Sequence, residues 1–115
     1  METFEDMKLP KTLDMVFYAV LKTEGDLFVE LQEYDYAIKV FKTLKDFINF
    51  WGHMDQLKIP VYEQIALCYC SVGMHHVEIY YLKKGLRYSI FKSDPQAELN
   101  FYDKLSLAYM NVGCP

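Results

Sequence analysis

Three aromatic residues set the frame for this chain. Phe28, Tyr69 and Tyr109 stand 41 and then 40 residues apart. Three positions ahead of each sits a small residue, namely Gly25, Ala66 and Ser106. Gly73 and Gly113 follow the second and third aromatics at one shared offset. Self-similarity at a fixed period of this size predicts stacked helical hairpins, each with a face that only the next hairpin can bury.

The segments between these markers read as helices. "LDMVFYAVLKTEGDLFVELQ" carries Leu13, Phe17, Val20 or Leu21, Phe28 and Leu31 at helical spacing, with Thr12 or Asp14 as a cap. Gly25 inside it costs about 1 kcal/mol against alanine. That cost is compensated where another helix must approach closely. Glu33 and Asp35 open a second helix, which runs through Ala37, Phe41, Leu44, Phe47 and Ile48 to a stop at Gly52. Asp55 is a candidate cap for the third, although Pro60 belongs in a first turn and moves the start towards Lys58. "HHVEIYYLKKGLRYSIF" makes a fourth helix, with Ile79, Leu82, Leu86 and Ile90 on one stripe. Asp94-Pro95 signals the start of a fifth, which stops at Gly113. The expected layout is an arm over 1–10, hairpins over 11–54 and 56–92, and an unpaired helix over 95–113.

On these residues the chain resembles the tetratricopeptide repeat family over positions 15–113. The family pattern places a small residue, an aromatic three later and a turn glycine, then a small residue and an aromatic four apart. Here these are Gly25, Phe28, Ala37 and Phe41 in the first repeat. Ala66, Tyr69 and Gly73 stand in the second, and Ser106, Tyr109 and Gly113 in the third. The long period is similar to that of kinesin light chain and of the LGN/Pins spindle scaffolds. Gln32 departs from the pattern where a turn glycine is expected. Glu78 departs where the second repeat needs its small residue, which marks a looser or exposed hairpin. The resemblance implies an all-α right-handed solenoid of about five helices that binds other proteins.

A net charge of −4 argues against a basic nucleic-acid binder, and no apolar run reaches the ~20 residues of a membrane span. Three cysteines, an odd number, suit a reducing, cytoplasmic setting better than a disulfide framework. No nucleophile elbow, phosphate loop or zinc-protease motif is present in the sequence. Cys68 and Cys70 lie two apart on a helix and point to divergent faces, so they read as packed side chains and not as ligands of one zinc. His75 and His76 read as a solvated turn. No catalysis, metal or cofactor is expected.

The resemblance also says which residues should line a concave surface. These are Lys22, Asp26, Val29 and Glu30 from the first repeat, Glu63, Leu67, Cys70 and Ser71 from the second, and Asp103, Leu107 and Met110 from the third. Such a surface is acidic with apolar patches, so its ligand would be a protein segment with basic and apolar anchors. Lys39, Lys42, Lys45, Lys83, Lys84, Arg87 and Lys92 fall to the opposite, convex side. Phe101, Tyr102, Leu105, Leu107, Tyr109 and Met110 cannot share one buried stripe. The last helix is therefore expected to meet another chain or a second copy end-on. Two functions follow as expectations. One is a scaffold in a larger assembly, such as a motor-associated or ciliary one. The other is a regulatory module that senses a peptide in its groove.

Overall fold

The computed structural model describes residues 11–113, and the predicted arm over 1–10 and Cys114 lie outside them. Five α-helices follow one another: α1 (Lys11–Glu30), α2 (Tyr34–Trp51), α3 (Lys58–Ser71), α4 (His75–Phe91) and α5 (Pro95–Asn111). A 3-10 turn over Asp55–Leu57 leads into α3. Among the described residues there is no strand. The chain is all-α, and its helices pack in adjacent hairpin pairs. Each helix packs chiefly on its neighbours in sequence, and α3 also touches α5. The radius of gyration is 15.8 Å, above the ~13 Å of a compact chain of this length. That is the shape of a one-dimensional stack.

The turns explain how consecutive helices reverse. Gly73 sits in the left-handed region at φ 81°, and the Met74 N–H reaches back to the Tyr69 carbonyl at 2.9 Å. Gln32 does the same work without being glycine: its φ is 60°, and the Glu33 N–H bonds the Phe28 carbonyl at 2.8 Å. Ser93 repeats the arrangement at φ 55°, ahead of the Asp94 side chain that caps α5 through the Ala97 N–H at 3.1 Å. The left-handed region costs a residue with a Cβ about 1–2 kcal/mol. Gln32→Gly should therefore stabilise the chain by about 0.5–1 kcal/mol, less the entropy glycine adds to the unfolded state. A lower midpoint in urea for that variant would contradict the assignment.

Two rings seated on glycines hold the stack together. A Cβ built on Gly25 would lie 2.6 Å from the Phe41 ring. A Cβ on Gly85 would collide with the Phe101 ring. Helix α1 therefore approaches α2, and α4 approaches α5, at a distance only glycine permits. Around these contacts lies one continuous core that includes Ala37, Leu44, Ile48, Ile65, Ala66, Leu82 and Ala108.

Several expectations change at this level. Asp14 does not precede α1; it lies in its first turn, buried, with Oδ2 3.1 Å from His53 Nε2. The apolar stripe expected on α1 splits in two. Leu21 and Phe28 turn inward, while Leu13, Phe17, Val20 and Leu31 are exposed. Glu78 marks no exposed edge: it is 7% exposed, in a hairpin whose Ala66 and Leu82 are each 1% exposed. Ser106, the third small residue, is exposed because no further described helix packs on that side of α5. Lys42, expected among the convex-side charges, is engaged within the chain. Its Nζ donates to Tyr69 Oη at 2.8 Å and lies over the Tyr69 and Tyr81 rings, which stack at 5.6 Å. That single cation ties α2, α3 and α4, and the Tyr69 hydrogen bond raises its pKa.

Candidate functional site

Helices α3 and α5 flank a concavity of ≈ 310 Å³ with α4 as its floor. Of the residues expected there, Glu63, Leu67 and Cys70 come from α3, and Leu107 and Met110 from α5. Lys22, Asp26, Val29, Glu30, Ser71 and Asp103 do not line it. Lys22 and Asp26 instead form an ion pair along α1 at 2.9 Å. Val29 is half-buried, and Glu30 and Asp103 are exposed. The Ser71 hydroxyl donates to the Leu67 carbonyl at 3.0 Å, one turn back on its own helix.

Five lining residues went unanticipated: Ala66, Glu78, Leu82, Lys104 and Asn111. For Glu78 and Leu82 a signal existed. They are one turn apart on α4, and the acid stands in a register where the pattern asks for a small buried residue. An acid in such a place needs a partner and a polar pocket.

The acids of the concavity are already engaged. Asn100 Nδ2 donates to Glu63 Oε2 at 2.8 Å, and Lys104 Nζ lies 3.9 Å from Glu63 Oε1. Glu63 thereby joins α3 to α5 across the groove. Glu78 Oε1 faces His75 Nδ1 at 2.9 Å. What stays free for a guest is mainly apolar: Leu67, Leu107 and Met110 are all well exposed. The surface is therefore less acidic in effect than its residue list suggests.

Comparison with protein-family models, with curated proteins and with solved structures returned no match. The site is thus read from its own chemistry.

Cys70, His75 and Glu78 meet at one rim of the concavity, with a ligand atom of each inside 4.8 Å of the others. His75 Nδ1 faces Glu78 Oε1, and Cys70 has its pKa raised by burial and then by the Glu78 charge, the opposite of the shift that activates a thiol. Cys68 is fully buried, and burial alone pushes its thiol up to about 11.

The other side of the stack is aromatic and basic. Lys58 lies over Tyr88 at 4.8 Å and Lys84 over Tyr80 at 4.9 Å, while Lys83 covers Tyr109 at 5.6 Å. Each such pair contributes of order 0.5–1 kcal/mol at an exposed position. Many of the lysines assigned to the convex side are thus committed to rings of their own chain.

No helix of the described residues is long and apolar enough to cross a membrane.

Proposed function

We propose that this chain is a non-catalytic protein–protein interaction module built from tetratricopeptide-like hairpins. The observation that carries the reading is a pair of apolar faces at opposite ends of the stack that no other described residue covers. Leu13, Val16, Val20 and Leu27 line the outer face of α1 and Leu31 follows just past its end; they are 42–69% exposed. Leu99, Tyr102 and Met110 do so on α5 at 50–70%. Several large apolar side chains exposed along one helix face are the kind of surface that interaction sites use. A stack with such a face at each end is suited to bridging neighbours in a larger assembly. A motor-associated or ciliary assembly in the cytoplasm is the setting that the repeat resemblance implies.

The concavity supports a second reading, a regulatory module that holds a peptide. Its free surface favours apolar anchors such as leucine or methionine over charged ones, because Glu63 and Glu78 already have partners.

Cross-linking mass spectrometry on complexes captured by the full chain distinguishes the two. Scaffolding predicts cross-links on α1 and α5, with capture of the same partner lost in Val20→Asp or Leu99→Asp. Peptide sensing predicts cross-links around Leu67 and Leu107, and affinity at least tenfold weaker in Leu107→Asp, about 1.4 kcal/mol. Binding that is indifferent to all three substitutions would sink both readings.

A further inference from the structure

We propose that Cys70, His75 and Glu78 form a three-donor site for a zinc-type divalent ion at the rim of the concavity. The inference stands on geometry and does not depend on which protein partner the stack takes.

Sequence order alone does not bring these residues together; the turn does. Cys70 is in the last turn of α3, and His75 is the first residue of α4. The left-handed Gly73 reverses the chain between them, with its N–H on the Cys70 carbonyl at 3.0 Å. Glu78 follows His75 by three residues on one helix, so both project from the same face. The backbone positions of all three donors are thus held by helix ends and a hydrogen-bonded turn. This constellation differs from the Cys68–Cys70 pair that the sequence raises, because Cys68 is buried elsewhere in the core.

The donor set narrows the choice of ion. A thiolate, an imidazole and one carboxylate suit zinc and its borderline neighbours. Calcium and magnesium call for oxygen-rich shells that this site does not offer. Tetrahedral zinc with bonds of about 2.0–2.3 Å places its ligand atoms about 3.3–3.6 Å apart. The three donors here lie within 4.8 Å of one another, and His75 Nδ1 and Glu78 Oε1 are 2.9 Å apart. Donor-atom displacements of under about 1.5 Å would close the difference.

The burial of Glu78 is an independent reason to look here. It is a carboxylate with 7% exposure where the repeat pattern asks for a small residue. A dication would compensate that charge more fully than a histidine does. Lys104 is the cation that shares the concavity, but it turns to Glu63 at 3.9 Å. Cys70 and Glu78 both line the concavity, so a fourth coordination position would open into it for water or a guest's donor atom. On binding, the Cys70 thiol proton leaves to solvent and the sulfur takes the metal in its place. His75 offers Nδ1 and keeps its proton on Nε2, so no redox partner is involved.

The test uses the full chain with cobalt(II), a coloured stand-in for zinc, in a Cys114→Ser background that removes the thiol near the end of the chain. The expected result is one equivalent bound, with a thiolate-to-cobalt charge-transfer band that zinc then abolishes. Cys70→Ser should remove the band. His75→Ala and Glu78→Gln should each weaken binding about tenfold or more, with helical circular dichroism retained. His76→Ala should change nothing. Absence of the band in the Cys114→Ser chain would overturn the proposal. So would unchanged affinity in His75→Ala, a variant at the half-buried first residue of α4 that should fold whether or not Cys70→Ser does.

Discussion

Phe41→Ala should cost about 3–5 kcal/mol, which for a chain of this size is much of the total stability. The ring is fully buried, and it fills the space that Gly25 leaves open between α1 and α2. Removing it leaves a cavity in a tightly packed core in which the neighbouring Ala37 and Leu44 of α2 are also fully buried. The reverse change is the sharper probe. Alanine is worth about 1 kcal/mol over glycine inside a helix, so Gly25→Ala ought to stabilise α1 if packing were loose. Its methyl would instead meet the Phe41 ring at 2.6 Å, and a net loss of about 1–3 kcal/mol is expected. Combining Gly25→Ala with Phe41→Leu should relieve the collision. The double-mutant cycle should then show a favourable coupling of at least about 1 kcal/mol. Additive urea midpoints in that cycle would mean the ring does not sit on the glycine.

Phe101→Ala should cost a similar ~3–5 kcal/mol, but in a different place. Phe101 is the largest buried side chain of α5, and its ring occupies the notch at Gly85 on α4. Stability in a stack is local to each interface, so the loss should appear first as detachment of α5. Amide exchange in Pro95–Asn111 is expected to accelerate by orders of magnitude, while α2 and α3 stay protected. The same opening would separate Asn100 and Lys104 from Glu63 and so dismantle the concavity. Uniform acceleration across all five helices would show that the chain opens as one unit instead.

The two ring-on-glycine contacts also show what a sequence can and cannot declare. Gly25 was visible as a repeat position, because a small residue recurs at Ala66 and Ser106, whereas Phe41 stood out only through the family pattern that the chain resembles. Helix number, turn positions and the fifth-helix cap at Asp94 were readable for a different reason. They depend on local backbone preferences: a left-handed residue after a helix, a side-chain acceptor before one, proline in a first turn. Gln32 shows the limit of that logic. Its identity gives no sign of a left-handed turn, yet the packing of α1 on α2 holds it there.

The candidate site was less legible. Four of its ten lining residues come from α5, which meets α3 from far along the chain, as Asn100 and Lys104 meet Glu63. No local rule pairs them. Glu78 looked like a flaw in the repeat, and it is a buried acid that gathers a histidine and faces a cysteine. Periodicity and turn chemistry, which act between residues a few positions apart, determined an all-helical stack from the sequence by itself. Only the tertiary structure decided which charges are neutralised, which face of α1 is left bare and where Cys70, His75 and Glu78 meet. Those outcomes depend on distances between helices, and such distances are set by whether a ring can rest on a glycine.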